Sequence, residues 1–219
     1  MYRRTTRSLI VRCQPLWLVR STLGTWLRAR RRQRELSRAQ RFRVGPLWVL
    51  IEPGHQTDQV IARLGAALDV LARTDSIRFK RFRRGVCAIY VRAGAGAEYW
   101  RDGSVCVLSA SKLAAEPHYE TALDMVHEAT HAAVHHRGIA WGPASVERIE
   151  KLCLEQEIAF CKALAELGYD VRERVAWYRE RLKHPLYTPE LLLDRMLRDR
   201  SARREHWDSG VERPGGPNQ

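Results

Sequence analysis

A chain of 219 residues with 45% hydrophobic content can bury one real core and is too short for two large domains. Its formal charge of +13 is local, because residues 1–43 hold thirteen arginines against the single Glu35, leaving everything from Val44 onward nearly neutral. Five cysteines, Cys13, Cys87, Cys106, Cys153 and Cys161, form no CxxC pair. That suggests neither a disulfide framework nor a thiolate zinc site, and a reducing, cytoplasmic setting is expected.

The basic arm, residues 1–43, reads either as a solvated flexible extension or as a contact for acidic surfaces. Arginines attract nucleic acid or an anionic membrane by Coulombic attraction and counterion release. The apolar stretch 8–27 is interrupted by Arg12, Pro15 and Arg20, so no transmembrane span is expected. What is left is an acid-poor leader with Trp17 and Trp26, suited to lying on a membrane surface or to targeting.

Residues 44–51 read as a short apolar strand, punctuated by Pro53-Gly54. Over 57–73, Val60, Ile61, Leu64, Ala67, Leu68 and Leu71 recur at three- and four-residue steps, the pattern of a helix with one buried face. The segments 77–82 and 86–91 are rich in β-forming residues and are expected as neighbouring strands separated by Arg83-Arg84-Gly85. Tyr99-Trp100 and 105–108 then suggest a hairpin around Asp102-Gly103.

A helix is expected from Pro117 to about His136, stopped by Gly138. Ser145 is the expected N-cap of the next, which runs to about Leu167 and ends at Gly168. Two more helices, 171–182 and 189–203, complete an α+β domain over 44–206, a short mixed β-sheet packed against helices with a helical C-terminal part. The tail 207–219, with Pro214-Gly215-Gly216-Pro217, is expected to be disordered.

The helix after the small sheet carries the run His127-Glu128-Ala129-Thr130-His131. Residues four apart lie on one helix face, so His127 and His131 can direct imidazole nitrogens at one Zn2+ ion. Glu128, one step round, can take a proton from a water bound to that ion and serve as general base for its attack on a polarised carbonyl. Leu123, Val126 and Val134 make the surroundings partly apolar, which argues against two solvated surface histidines.

A catalytic zinc needs a third protein ligand and an open fourth position. The metzincin spacing fails, because Val134 and Arg137 stand where Gly and His would be needed. His135 continues the same face, but three turns of a straight helix climb about 12 Å, too far for one ion; it is expected to be structural, solvated or a partner of a ligand. On the following helix the apolar stripe Val146, Ile149, Cys153, Phe160 and Leu164 marks the buried face. Glu150 and Glu157 both fall beside that stripe, and Glu155 points away. An inward glutamate is costly unless paired or metal-bound. The two are about 10.5 Å apart along the axis, so only one can be a ligand.

At these residues the chain resembles the gluzincin-type zinc metallopeptidases, over roughly residues 105–167. The run 126–132 is also similar to small bacterial domains of that superfamily. The resemblance implies a small zincin-like domain, a peptide or protein substrate, and a glutamate from the next helix as third ligand. Eighteen residues separate His131 from Glu150, close to the spacing in thermolysin-like members, which favours Glu150 with Glu157 as the alternative. The thermolysin-like pattern has an Asp four residues after the ligand glutamate, where this chain has Leu154; the resemblance therefore names no carboxylate partner for the zinc histidines. It further implies that the strand at 103–109, if at a sheet edge, pairs with extended substrate; otherwise it is an ordinary core strand. The candidates for stabilising an oxyanion are Tyr119, Tyr178, Tyr187, His136 and His184, while Trp141 and Trp177 read as packing residues. The other functional class the residues allow is a non-catalytic metal or interaction module that works through the basic arm.

Overall fold

A computed structural model describes residues 23–94, 96–141 and 143–184. In chain order the elements are α1 (Leu23–Arg38), β1 (Gln40–Val44), β2 (Leu47–Ile51), α2 (Thr57–Thr74), α3 (Ser76–Gly85), β3 (Ala88–Arg92), β4 (Glu98–Trp100), β5 (Val105–Ser109), α4 (Ala110–Ala115), α5 (His118–His136), α6 (Pro143–Glu166) and α7 (Arg172–Lys183). The expected helix at 189–203, the tail at 207–219, Tyr187 and most of the leader lie outside the described residues. No helix among the described residues is long and apolar enough to cross a membrane.

The class is α+β with one mixed sheet, in the order β1-β2-β3-β5-β4. The pairs β1/β2 and β4/β5 are antiparallel; β2/β3 and β3/β5 are parallel. Alternation along the strands sends Val49, Ile51, Ile89, Val91, Cys106 and Leu108 into the main core, where α2 and α5 pack. Tyr90, Val105 and Val107 face the other way, onto Trp100, Ala39 and Leu36. The central strands β3 and β5 are therefore buried on both faces, which is what parallel strands require and why β5 reads as an unbroken apolar run. Fully buried Leu64, Leu71, Phe82 and Phe160 each contribute about 1.5 to 3 kcal/mol of burial.

The basic arm is thus partly built into the fold. Arg32 on α1 stacks on Trp100 at 4.8 Å and pairs with Glu98 at 2.9 Å. The boundary expected at residue 43 runs through β1, whose residues all pair with β2.

Residues 77–82 are helix rather than strand. Asp75 caps α3 by accepting a hydrogen bond from the Arg78 amide at 2.8 Å, and Phe79 and Phe82, three apart, meet the core at helical spacing. The apparent period-two pattern was set by Ile77, which is 71% exposed. Burial pushes the Asp75 carboxyl up, but the Arg78 amide and guanidinium outweigh it and hold the pKa below the usual carboxylate value. Asp75→Ala is expected to lower stability by about 1 kcal/mol at neutral pH. The depressed folded pKa means this difference is present above the unfolded value, about 4, and is lost as the pH falls through the folded one. Denaturant melts of both forms at pH 7 and pH 3 check it.

Helix α5 is the centre of the molecule, packed by α2, α3, α6 and the sheet, with Thr121, Leu123, Met125, Val126, Glu128, Thr130 and His131 all buried. It stops at Gly138, whose φ of +70° lets its amide reach the His135 carbonyl at 2.9 Å. Gly85 lets α3 approach α5 closely: a Cβ there would lie 2.9 Å from the Ala132 Cβ. The next helix, α6, starts two residues before Ser145, with Pro143 at its first position; the Ser145 hydroxyl donates back to the Ala140 carbonyl at 2.7 Å instead.

Candidate metal centre

Helices α5 and α6 are joined by a short connection, and their side chains meet in descending register, His127 against Glu157 and His131 against Cys153. That register of two antiparallel helices brings the motif face of α5 onto the inward face of α6. The two imidazole rings lie 4.8 Å apart, edge to face.

Glu150 spans both rings. Its Oε2 lies 3.3 Å from His127 Nε2 and its Oε1 3.6 Å from His131 Nε2. Around an ion with nitrogen and oxygen ligands at about 2.0–2.1 Å, neighbouring donors of a tetrahedron stand about 3.3 to 3.4 Å apart. Glu150 reaches the two rings through different oxygens, one at that spacing and one longer.

Glu157 takes a different position, on the far nitrogen of His127, with Oε2 3.0 Å from Nδ1. The Tyr178 hydroxyl donates to its other oxygen at 2.8 Å. The chain Tyr178–Glu157–His127 fixes the ring plane of His127 and leaves Nε2 turned toward Glu150. Glu157 is thus a carboxylate partner of His127, one turn further along α6 than Leu154. Burial pushes the Tyr178 hydroxyl well up, so it stays a donor. Burial opposes a charge on His127, but its hydrogen bonds to Glu150 and Glu157 prevail and raise its pKa well above the ordinary histidine value.

Glu128 is 3% exposed, and its Oε2 has no hydrogen-bond partner among the described residues. A buried carboxylate oxygen without a partner is rare enough to need a reason. Burial pushes its carboxyl up to about 8, with Asp124, Glu150 and Glu157 adding to the rise and His127 opposing it.

Cys153 is the residue that sequence reasoning placed in the apolar stripe and the structure places in the cluster. Its Sγ lies 3.7 and 3.8 Å from the two ring nitrogens of His131. One donor atom from each of His127, His131 and Cys153 falls within 4.8 Å of the others. The available signal was spacing, since Cys153 stands one turn after Glu150 on the same face. Burial pushes its thiol far up.

Trp141, expected as packing, sits edge-on to His131 with ring centroids 4.8 Å apart and is 37% exposed. The Arg101 guanidinium carbon lies over its ring, 4.5 Å from the centroid. Of the oxyanion candidates, Tyr178 is committed to Glu157, His136 contacts the Gly85 carbonyl at 3.1 Å, and His184 pairs with Glu180 at 3.2 Å. Tyr119 lies edge-on to Tyr169. His135 is held by the Tyr99 hydroxyl at 3.4 Å, outside the cluster. The strand at 103–109 is no edge: β5 is bonded to β3 on one side and β4 on the other, because β4 folds back antiparallel along it. A search of protein-family models, of curated proteins and of solved structures finds no match to the chain.

Proposed function

We propose that this chain is a zinc-dependent hydrolase acting on peptides, with His127, His131 and Glu150 as metal ligands and Glu128 as general base. The observation that carries the reading is Glu150 facing both histidine Nε2 atoms, with Glu128, next to His127 in the chain, holding a buried oxygen that has no partner among the described residues. Zinc at these residues would supply Lewis acidity, acidifying a water and polarising the substrate carbonyl. Glu128 accepts the proton of the attacking water at Oε2 and returns it to the leaving amine. Glu157 and Tyr178 keep His127 oriented throughout. The peptide as substrate rests on the resemblance to gluzincin-type enzymes. In this reading the arm adds location, since Arg30, Arg31, Arg34 and Arg38 line the outside of α1, facing nucleic acid or an anionic membrane.

A test measures zinc stoichiometry and cleavage of a peptide library before and after chelation. About one zinc per chain, and cleavage lost with the metal and restored with it, are the expected results. Purified protein that takes up no zinc, or a Glu150→Ala variant that holds it at wild-type affinity, overturns the assignment.

Cys153 favours a second reading. Four donors, His127, His131, Glu150 and Cys153, would close the site and make the domain a non-catalytic metal module working through its arm. Cobalt-loaded protein separates the two. A thiolate charge-transfer band in the near ultraviolet that disappears in Cys153→Ser supports the closed site, and its absence supports the open one.

A further inference from the structure

We propose that Arg101, seated on Trp141 beside His131, is a carboxylate-binding subsite, so that the substrate carries a carboxylate close to the bond that is cut. This rests on the hydrolase reading and names its substrate class.

Arg101 opens the turn between β4 and β5, residues Arg101–Gly103. The turn is held in an uncommon conformation, Ser104 having a φ of +51°. The Ser104 hydroxyl lies 3.2 Å from the Tyr99 hydroxyl, which in turn reaches His135 on the motif helix. The turn is therefore braced against α5 and aims its arginine at Trp141.

The guanidinium is half-buried and makes no ion pair or hydrogen bond among the described residues. The nearby acids are engaged elsewhere. Asp102 pairs with Arg32 at 3.5 Å, and Glu98 pairs with Arg32 at 2.9 Å and with Arg92 at 3.6 Å. Burial works against the cation and lowers its pKa despite the pull of Asp102. A partly desolvated guanidinium without a counter-ion is costly, and binding an anion relieves that cost.

An arginine fork binds carboxylate or phosphate, and of the two a peptide carries the carboxylate. With its carbon over the indole the guanidinium gains cation–π attraction, while its N–H groups have no hydrogen-bond partner among the described residues. Two parallel donors in a plane match a carboxylate bidentately. From the His131 ring to Trp141 and on to Arg101 are two contacts of 4.8 and 4.5 Å, a reach of roughly two or three extended residues of a peptide. The carboxylate is thus either a peptide's own C-terminus or an acidic side chain near the scissile bond.

The test uses the zinc-loaded full chain and matched peptides. One arm compares free with amidated C-termini; the other compares internal Asp or Glu with Asn or Gln. In wild type, kcat/KM is expected to favour the carboxylate form of one arm by about tenfold or more, mainly through KM. In Arg101→Gln the ratio should fall toward one, and Arg101→Lys should restore part of it. Calorimetric binding of the same peptides to zinc-loaded Glu128→Gln gives a readout without turnover. Cleavage with no preference in either arm, or a preference that survives Arg101→Gln, overturns the subsite and leaves the hydrolase reading standing. Neither cleavage nor binding of any form overturns both.

Discussion

Glu128→Gln is expected to take up zinc as the wild type does and to lose about 10²- to 10⁴-fold in kcat/KM on any peptide the wild type cleaves. The substitution keeps size and shape and touches no ligand. It removes only the basic lone pair at Oε2, the oxygen that has no partner among the described residues. The folded state should tolerate it, because a buried carboxyl pushed up to about 8 is already neutral at pH 7 before an ion arrives, and an amide resembles it. The variant must therefore melt near the wild-type temperature. Zinc stoichiometry by atomic absorption, a thermal melt and initial rates on one substrate check all three statements. A zinc-loaded Glu128→Gln that cleaves at the wild-type rate would remove Glu128 from the chemistry.

Glu157→Gln is expected to weaken zinc binding by about 10- to 100-fold, the usual cost of losing a carboxylate behind a ligand histidine. Glu157→Ala goes further. It leaves His127 Nδ1 and the buried Tyr178 hydroxyl both without a partner, so metal-free stability should drop by about 3 kcal/mol as well. Tyr178→Phe keeps the carboxylate and should cost less than either. The double variant with Glu157→Gln should fall short of the sum of the singles, since the two residues act through one chain of hydrogen bonds. Competition against a chromophoric chelator measures the affinities. Glu150→Ala provides the scale: loss of a ligand must exceed loss of its neighbour's support. If Glu157→Gln proves the more severe for zinc, the roles of the two glutamates are exchanged.

Much of the scaffold was legible from the chain alone. Helix α2 follows from apolar periodicity and α5 from the Pro and Gly at its ends, because these signals act within one or two turns. The same locality made the motif readable: four residues fix the relative directions of His127 and His131, whatever surrounds them. Residues 77–82 misled because two phenylalanines and an isoleucine among arginines fit either period, and only the Asp75 cap and the core contact of Phe79 and Phe82 decide for helix. The arm misled through charge. Arginine counts describe solvation, while Arg32 uses its guanidinium against Trp100 and Glu98 inside the fold.

Helical periodicity was enough to show one helix face bearing two imidazoles and a carboxylate, and a second helix with two inward glutamates. Which glutamate meets which nitrogen was decided by the antiparallel register of α5 and α6, a relation between side chains 19 to 30 positions apart. The entry of Cys153 depended on that same register, and the Arg101–Trp141–His131 stack on the β4–β5 turn lying beside the α5–α6 connection. Periodicity describes how a chain relates to its own axis and carries no information about the distance between two axes. That distance is set by how the buried faces pack, and which donors meet in the cluster depends on it.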